Sequence, residues 1–449
     1  MTYAPDVIAA IATAPGRGGV GVVRVSGRDV SRVLDGVVGR VLLPRLATLT
    51  RFIGAEGETL DEGLALWFPA PASYTGESVL ELHAHGGPAV LALILARCLE
   101  LGARIAQPGE FTQRAFLNDK LDLAQAESVA DLIDAGSATA ARAATRSLSG
   151  EFSRETGAVV AALTELRMLT EATLDFPDED IDFLRAAQAQ ARLDALRQRV
   201  EQLIVRSRQG NLLRDGLDVV LIGAPNVGKS SLLNRLAGDE LAIVTPIPGT
   251  TRDAIRSDID IRGVPLRVVD TAGVREAGDE VEAMGIARTW AHLARADLAL
   301  IVTDVRDPDA AHGGLLAKLP PSLPRLLIRN KVDLIDAAAQ RSGDRGHEIW
   351  LSALTGVGIA LLEDAMLDAA GAQPTMEGAF IARERHVQAL LAAQRHLASA
   401  HAHLHEAQPP LELFAEDLRS AQDALASIAG KFSSDDLLGE IFSRFCIGK

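Results

Sequence analysis

The fold is decided by Gly223-Ala224-Pro225-Asn226-Val227-Gly228-Lys229-Ser230, which directly follows an apolar run over 219–222. A short apolar run of this kind predicts a buried strand. The two glycines let the chain turn so that successive backbone N–H groups point at one place. A helix is predicted over 230–237, and the N-terminus of a helix favours an anion. The stretch therefore predicts a phosphate-binding loop between a strand and a helix.

Four further motifs follow the loop in the order of a guanine-nucleotide-binding domain. They are Gly249-Thr250-Thr251-Arg252-Asp253, Asp270-Thr271-Ala272-Gly273, Asn330-Lys331-Val332-Asp333 and Ser352-Ala353-Leu354. A single short motif arises by chance, but the ordered set does not. The sequence therefore predicts that the chain binds GTP and hydrolyses it.

The residues of the first three motifs suit the phosphates and a metal ion. Lys229 is predicted to reach the β- and γ-phosphates, and the Ser230 hydroxyl to ligate Mg²⁺. Thr251 is expected to be a second Mg²⁺ ligand. Asp270, at the end of another apolar strand, is expected to hold the metal through water, and the Gly273 N–H to contact the γ-phosphate.

The later motifs suit the base. Asp333 can accept two hydrogen bonds from the N1 and N2 edge of guanine, and adenine lacks that pair of donors. This difference selects GTP over ATP. The nucleotide-binding set predicted from the motifs is Asn226, Val227, Gly228, Lys229, Ser230, Ser231, Gly249, Thr250, Thr251, Asp270, Thr271, Ala272, Gly273, Asn330, Lys331, Asp333, Ser352, Ala353 and Leu354.

Length and composition bound the number of domains and exclude several other classes of protein. A chain of 449 residues is too long for one hydrophobic core, and roughly two to four domains are expected. The formal net charge of −15 excludes a global basic surface for nucleic acid, and aromatic residues at 4% disfavour a base-stacking sheet. The two cysteines exclude a disulfide scaffold and a cysteine-rich zinc site. Without a long apolar stretch or a basic signal segment at its start, the chain is expected to have no membrane span and to be cytoplasmic.

Periodicity predicts the domain organisation. Residues 1–118 combine strand-like runs over 7–12, 20–25, 65–68 and 78–83 with a helix over 88–101. From residue 119, and again after 379, apolar residues recur with the period of a helix. The simplest arrangement is one helical domain built from 119–212 and 380–449, with a nucleotide-binding domain over 213–379 inserted in it. The predicted fold class is α/β and α multidomain, with an N-terminal α/β domain, a discontinuous helical domain and an inserted Ras-like P-loop G domain.

Other features have competing interpretations. The glycine-rich segment 16–21 precedes a strand, so we interpret it as a strand connection rather than a dinucleotide site. His83 and His85 would share one strand face as a metal pair, but no third ligand is visible and a structural role is favoured. The arginines between 185 and 214 are interpreted as a solvated helix face, with a tRNA-contacting stripe as the alternative.

The two cysteines differ in their expected roles. Cys98 lies in an apolar helix and is expected to be inert core. Cys446 stands close to the end of the sequence, where packing rarely demands a cysteine. A catalytic role and a structural role both remain open for it.

Catalysis needs an unusual source of water activation. Ras-like GTPases carry a water-orienting glutamine after the Asp-x-x-Gly motif, whereas this chain has Val274. An apolar side chain cannot polarise water, which directs attention to the acidic residues just downstream, Asp279, Glu280 and Glu282.

The sequence resembles the bacterial tRNA modification GTPases of the MnmE (TrmE) family along essentially its whole length. The segments that carry the resemblance, besides the switch segment 249–253, are Pro15-Gly16-Arg17-Gly18-Gly19-Val20-Gly21, Glu81-Leu82-His83-Ala84-His85-Gly86-Gly87, Pro108-Gly109-Glu110-Phe111-Thr112, Asn118-Asp119-Lys120-Leu121-Asp122-Leu123-Ala124-Gln125-Ala126-Glu127 and Phe445-Cys446-Ile447-Gly448-Lys449.

The resemblance implies a reaction and its partners. With an FAD-dependent partner, MnmG (GidA), such proteins install an aminomethyl or carboxymethylaminomethyl group on C5 of the wobble uridine of certain tRNAs. A homodimer, a heterotetramer with the partner and contact with tRNA are implied. The N-terminal domain is implied to be folate-binding-like, to mediate dimerisation and to hold a tetrahydrofolate one-carbon donor, in a 5-formyl or methylene form. The folate-binding residues would be Arg24, Glu81, Lys120 and Lys449, with Cys446 as a catalytic residue.

The resemblance also implies K⁺-activated hydrolysis. By position, Asn226, Thr245, Ile247 and Thr250 match the K⁺-binding residues of the family, and Glu282 matches its water-orienting glutamate. Glu282 and Lys229 would then be catalytic residues of the GTPase. The nucleotide-binding set gains Thr245, Pro246, Ile247 and Pro248. The two prolines depart from the family, although Ile247 would contribute only its backbone carbonyl.

Two alternatives belong to different classes of protein. A ribosome-assembly GTPase of the Era/EngA type would share the G motifs and act as an RNA-binding switch. Such proteins lack the N-terminal folate-like module and the Cys-Ile-Gly-Lys end, and they typically carry a basic KH-type domain. A GTP-dependent scaffold would leave all covalent chemistry to the flavoprotein partner.

Overall fold

The structure is a computed structural model that describes residues 6–175, 188–237, 256–270, 296–307, 319–335, 337–343, 346–372, 378–406, 408–430, 441–443 and 445–448. The chain divides into two compact units. The first comprises Met1–Ala130, Ser147–Val200 and Ala389–Lys449. The second comprises Asp131–Arg146 and Glu201–Gln388.

The described residues form thirteen strands and eleven α-helices, with five successive helices between β6 and β7. The strands are β1 Ile8–Ile11, β2 Gly18–Gly27, β3 Thr48–Ile53, β4 Thr59–Phe68, β5 Ser78–Gly86, β6 Arg104–Ile105, β7 Leu217–Ile222, β8 Arg256–Ile261, β9 Val264–Asp270, β10 Leu298–Asp304, β11 Arg325–Asn330, β12 Gln340–Ser342 and β13 Glu348–Leu351. The helices are α1 Ser31–Val38, α2 Pro88–Glu100, α3 Glu110–Leu117, α4 Leu123–Ile133, α5 Ala138–Leu148, α6 Glu151–Asp175, α7 Ala189–Asp215, α8 Lys229–Ala237, α9 Ile359–Ala369, α10 Glu384–Leu404 and α11 Leu411–Ala426.

The N-terminal sheet has the strand order β3-β4-β5-β2-β1-β6 and is antiparallel except where β1 meets β6. Side chains alternate between its faces because successive residues of a strand point in opposite directions. Val23 and Val25 of β2 lie on one face and pack with Leu80 and Leu82 of β5 in a core shared with α1 and α2. Arg24 falls between the two valines and lies on the opposite face, towards Phe111 of α3.

The end of the chain packs onto the N-terminal domain. Phe442 and Phe445 lie in one apolar cluster with Leu123 of α4. Ile447 forms an isolated antiparallel bridge with Pro108. Gly448 has a φ of +97°, and a Cβ there would collide with the carbonyl of residue 11 at the end of β1. A glycine is therefore required where the tail passes β1.

The second unit is built on a sheet of order β12-β13-β11-β10-β7-β9-β8. The pairs from β9 through β7, β10 and β11 to β13 are parallel, and the two edge strands are antiparallel. Residues 298–303 of β10 are all buried, as expected for a central strand covered on both faces. In such a sheet, ligands bind outside the carboxyl ends of the strands, and the phosphate-binding loop follows the carboxyl end of β7.

The structure confirms the predicted fold class and most of the predicted N-terminal elements. The helix predicted over 88–101 corresponds to α2, which ends one residue earlier. The strand-like runs correspond to β1, β2, β4 and β5, and the run over 7–12 extends one residue beyond β1 at each end. Strands β3 and β6 and helices α1 and α3 had no counterpart in the prediction. All limits of the compact units fall inside helices α4, α5, α7 and α10. The four-part domain division, with limits at 119, 213 and 380, stays a prediction.

Candidate functional site

The phosphate-binding loop has the backbone geometry that its sequence requires. Asn226 and Gly228 have φ values of +64° and +99°, in the left-handed region. A Cβ at Gly228 would collide with the side-chain nitrogen of Asn330, so only glycine fits there. Helix α8 begins at Lys229, directly after the loop, and its N-terminal N–H groups are available for an anion.

The Lys229 side chain lies over the loop. Its Nζ donates to the carbonyls of Gly223 at 2.8 Å and Ala224 at 3.0 Å, and the side chain is buried. The ammonium is therefore held beside the N-terminus of α8, where two sources of positive charge meet. Ser230 and Ser231 follow on the first turn of α8 and are exposed.

Asn330 joins three segments that are distant in the sequence. Its Nδ2 donates to the Val227 carbonyl at 2.7 Å, and its Oδ1 accepts from the Ala353 N–H at 2.9 Å. The Asn330 side chain is 1% exposed, so both bonds are shielded from water. The structure thereby brings together the phosphate-binding loop, the Asn-Lys-Val-Asp segment and the Ser-Ala-Leu segment.

The neighbouring residues leave an accessible edge beside Asn330. Asp333 lies on a 3₁₀ turn, Val332–Leu334, and is exposed, as is Leu354. Ser352 is buried, and its Oγ accepts from the Thr355 N–H at 3.2 Å. The exposed carboxylate and the exposed leucine thus lie on two neighbouring turns, an arrangement suited to recognising the edge and the face of a base.

Sequence reasoning missed Asp304. Its carboxylate lies 2.8 Å from Nζ of Lys331, which also donates to the Asn226 carbonyl at 2.7 Å. The signal was present, because Asp304 ends the apolar strand β10 at the carboxyl edge of the sheet.

Several predicted site residues lie outside the described residues. Asp270 ends β9, but its side chain is not among those described. The same holds for all of the predicted switch residues and the tail lysine: Thr245, Pro246, Ile247, Pro248, Gly249, Thr250, Thr251, Thr271, Ala272, Gly273, Glu282 and Lys449.

A second candidate site lies on the α3 side of the N-terminal sheet. Arg24 Nε donates to Glu81 Oε1 at 2.9 Å, and the two residues are partners in the register of β2 with β5. The other Glu81 oxygen lies 3.2 Å from His83 Nε2. The Arg24 guanidinium lies 5.6 Å from the ring centroid of Tyr74 and 5.8 Å from that of Phe111. A charged pair is therefore framed by two aromatic rings.

The neighbouring histidine is held by a different carboxylate. His85 Nδ1 lies 2.8 Å from Asp61 Oδ1, and the His85 N–H donates to Asp61 Oδ2 at 2.8 Å. Among the residues that the structure describes, no group of three or more His, Cys, Asp or Glu side chains is placed to hold a metal ion. Each histidine has its own acidic partner, and the structural role expected for the pair stays a prediction.

The tail approaches the same helix, α3. The Cys446 carbonyl accepts from the N–H of Gly109, the N-cap of α3, at 3.3 Å, and Cys446 is exposed. Lys120 is exposed after the C-terminal end of α3. Cys98 is buried in the core of the sheet, and burial raises the pKa of its thiol to about 12, as expected for inert core. Of the two cysteines, only Cys446 is accessible.

The parallel sheet, the phosphate-binding loop and the Asn-Lys-Val-Asp segment joined to it through Asn330 define a P-loop GTPase. No helix in the described part of the chain has the length and apolar character needed to cross a membrane.

Comparison with known proteins identifies the family. The family description "MnmE helical domain" matches residues 123–446, and "GTP-binding protein TrmE N-terminus" matches residues 7–120. The chain is 58% identical to the tRNA modification GTPase MnmE of Ralstonia nicotianae, over 98% of this chain and 96% of the relative. It is 59% identical to the protein of that name from Thiobacillus denitrificans, over 99% of this chain and 98% of the relative. The chain belongs to the MnmE (TrmE) family.

Solved structures resemble a smaller part of the chain. The FeoB G domain of Methanococcus jannaschii is 26% identical, with a TM-score of 0.27, and covers 34% of this chain and 98% of its own. Era of Aquifex aeolicus is 20% identical, with a TM-score of 0.27, and covers 40% of this chain and 66% of its own.

Proposed function

We propose that this chain couples GTP hydrolysis to modification of C5 of the wobble uridine in tRNA. It acts with an FAD-dependent partner, MnmG (GidA), and uses a tetrahydrofolate one-carbon donor to form aminomethyl or carboxymethylaminomethyl groups. The observation that carries the proposal is the family match over 7–120 and 123–446 together with the assembled nucleotide site. We place the protein in the cytoplasm as a homodimer that joins its partner in a heterotetramer.

Loss of the chain tests this function in the cell. We expect wobble uridines that carry these C5 groups to be replaced by unmodified uridine at C5 when the protein is absent. The measurement is mass analysis of nucleosides from purified tRNA, with a plasmid copy of the wild-type chain as the control. Unaltered wobble uridines would contradict the proposal and would favour the ribosome-assembly alternative, for which ribosome profiles of the same cells are the check.

In the GTPase site, the residues divide between phosphates, metal ions and base. Lys229 and the N-terminus of α8 supply positive charge to the phosphates, and Ser230 and Thr251 are the proposed Mg²⁺ ligands. Asp333 accepts from the guanine edge, while Ser352, Ala353 and Leu354 line the base.

A monovalent cation is proposed beside the phosphate-binding loop. The Asn226 carbonyl already accepts from Lys331, and the exposed Asn226 side chain is left for the cation. Thr245, Ile247 and Thr250 are the other proposed K⁺ ligands. When bound, the ion supplies positive charge between the β- and γ-phosphates, as an arginine finger does elsewhere. Glu282 is proposed to orient the attacking water, since Val274 cannot.

Hydrolysis is therefore expected to depend on K⁺. Because an arginine finger contributes about 10³–10⁵ in rate, turnover in Na⁺ buffer should fall by at least about tenfold relative to K⁺ buffer. The Asn226→Ala variant should show the same turnover in K⁺ and Na⁺ buffers. Asn234 is an exposed asparagine on α8, and Asn234→Ala should keep the difference between the two buffers. Equal rates in the two buffers would contradict the cation's role.

Glu282→Ala should bind GTP normally and fail to hydrolyse it, as measured in a single-turnover assay. Undiminished hydrolysis by this variant would exclude that glutamate as the residue that orients water.

The second site is proposed to hold the folate. A carboxylate has about four acceptor positions, and Glu81 uses one oxygen for Arg24 and the other for His83. Positions remain to accept from the amide-bearing pterin edge, which resembles the edge of guanine. The side chains of Arg24 and Glu81 are 23% and 18% exposed, so the pair is accessible. Lys120 and Lys449 offer positive charge to the glutamate tail of the folate, and the exposed Cys446 is the candidate for covalent chemistry.

Binding of 5-formyltetrahydrofolate is expected for the wild-type chain and should be strongly weakened by Glu81→Gln. The substitution preserves shape and replaces an ionic acceptor by a weaker neutral one. Glu62→Gln, on the neighbouring strand β4, removes an exposed carboxylate and is the matched control. Calorimetry on these variants and on a chain ending at residue 444 is the measurement. No binding by the wild type would contradict the site, and equal binding by all variants would contradict the residue assignment.

A further inference from the structure

A carboxylate outside the guanine-nucleotide motifs contacts the lysine of the Asn-Lys-Val-Asp segment. Asp304 closes β10, and it is the partner of Asn330 in the register of β10 with β11. The Val305 N–H donates to the Asn330 carbonyl at 2.9 Å, which fixes the two strand ends side by side. Asp304 therefore reaches Lys331 from the end of a central strand rather than from a loop.

The Lys331 side chain is held at two points. Its Nζ donates to the Asn226 carbonyl at 2.7 Å and to Asp304 Oδ2 at 2.8 Å. A long lysine stem loses rotamer freedom when its end is fixed, so strong partners are needed to hold it. An ionised carboxylate is a stronger acceptor than a neutral carbonyl. Asp304 is therefore the main anchor of the Lys331 ammonium.

Asp304 itself has no acceptor position to spare. Its Oδ1 accepts from the backbone N–H and the Nε of Arg306, each at 3.0 Å, and its Oδ2 accepts from Arg306 Nη2 at 2.7 Å besides Lys331. The Arg306 guanidinium, joined by the Lys331 ammonium, holds the pKa of the Asp304 carboxyl well below its usual range despite the opposing effect of burial. With about four acceptor positions in a carboxylate, all are used. An effect of Asp304 on a nucleotide therefore passes through one of its two partners, and of these Lys331 is the one that contacts the phosphate-binding loop.

We propose that Asp304 is a positioning residue for nucleotide binding, which holds Lys331 against the phosphate-binding loop and keeps that loop and the base-binding segment in one geometry. The inference deepens the nucleotide-binding role proposed above and rests on it. Without Asp304, the lysine keeps only the Asn226 carbonyl, and its stem samples other rotamers. The loss of affinity should fall equally on GDP and GTP, because the Asn-Lys-Val-Asp segment is assigned above to the base, which the two nucleotides share.

The test is Asp304→Asn in the full-length protein, titrated with fluorescent GDP. We expect the dissociation constant to rise about tenfold, equivalent to about 1.4 kcal/mol, while kcat at saturating GTP stays within about twofold. This split between affinity and turnover would not follow from general misfolding. Asp307→Asn removes an exposed negative charge from the same turn and should leave the affinity within about twofold of the wild type.

A double-mutant cycle decides whether the effect passes through Lys331. In a Lys331→Met background, Asp304→Asn should weaken GDP binding no further. An equal weakening in both backgrounds would place the effect in the turn of Arg306 and overturn the inference. The inference would also be overturned if Asp304→Asn bound GDP as tightly as the wild type does. If the wild-type protein bound no GDP at all, that result would instead contradict the proposed nucleotide role.

Discussion

Asn330→Ala is expected to abolish GTP turnover at ordinary nucleotide concentrations and to weaken GDP binding by at least about a hundredfold. The asparagine side chain is 1% exposed and bonds to Val227 of the phosphate-binding loop and to Ala353 of the Ser-Ala-Leu segment. An alanine leaves a buried carbonyl and a buried N–H without partners, at about 1–3 kcal/mol each. The phosphate-binding loop and the segment proposed to line the base then lose the group that fixes their spacing.

Two measurements and one second variant make the result specific. Titration with fluorescent GDP gives the affinity. The midpoint temperature of thermal unfolding of the second compact unit, which carries the nucleotide site, should fall in parallel by several degrees. Asn330→Asp keeps an acceptor for the Ala353 N–H but turns a carboxylate towards the Val227 carbonyl, so it should be impaired as well. The expectation fails if Asn330→Ala binds GDP within about threefold of the wild type.

The second large effect is expected in the N-terminal domain, where Arg114→Ala should lower its free energy of unfolding by about 3–5 kcal/mol. The Arg114 side chain is 3% exposed and donates to Glu77 Oε2 at 2.8 Å and to Asp6 Oδ1 at 3.0 Å. The Glu77 side chain is 5% exposed. Removal of the arginine strands this carboxylate without a counter-charge, which costs more than the pair contributes when intact.

Hydrogen exchange of β1, β2 and β5 measures the loss, because it reports on this sheet separately from the GTPase unit. Arg51→Ala is the matched control, since Arg51 pairs with Glu62 at 3.5 Å on the exposed surface and should change the stability by less than about 1 kcal/mol. Adding Glu77→Gln to Arg114→Ala should restore part of the loss by neutralising the stranded charge. No change in exchange on Arg114→Ala would show that the ion pairs contribute nothing to the sheet.

The same network gives a pH dependence with a definite sign. Burial acts to raise the pKa of Asp6, but Arg104 and Arg114 outweigh it and hold that pKa below its ordinary value. Burial likewise opposes the effect of Arg104 on Glu110, whose pKa is also lowered. A carboxyl with a lowered pKa stabilises the folded state above its ordinary pKa, and the contribution is lost as the pH falls through the lowered one. Arg114→Ala should therefore make the sheet less sensitive to acid.

The place of the phosphate-binding loop between a strand and a helix was predictable because its chemistry is local in sequence. The loop 223–230 needs glycines, a lysine and a hydroxyl within eight positions, and the order of the later motifs follows the order of the strands. Polar residues at the ends of apolar strands converge because the carboxyl ends of parallel strands share one edge. Asp304 fits this rule, yet it was missed because an aspartate after an apolar strand is unremarkable until the lysine it contacts is known.

The sequence by itself determined the class of each segment, the P-loop GTPase motifs and the resemblance to one family. Hydrophobic period and turn chemistry act within a few residues, so they can be read from the chain directly. Only the tertiary structure decided which distant residues meet. Asn330 and Val227 are 103 positions apart, and Arg114 and Asp6 are 108 apart. Strand register, sheet order and the docking of the tail at Pro108 bring such residues together. These depend on packing summed over the whole unit, because a strand's own pattern fixes which face is buried but leaves its partner open.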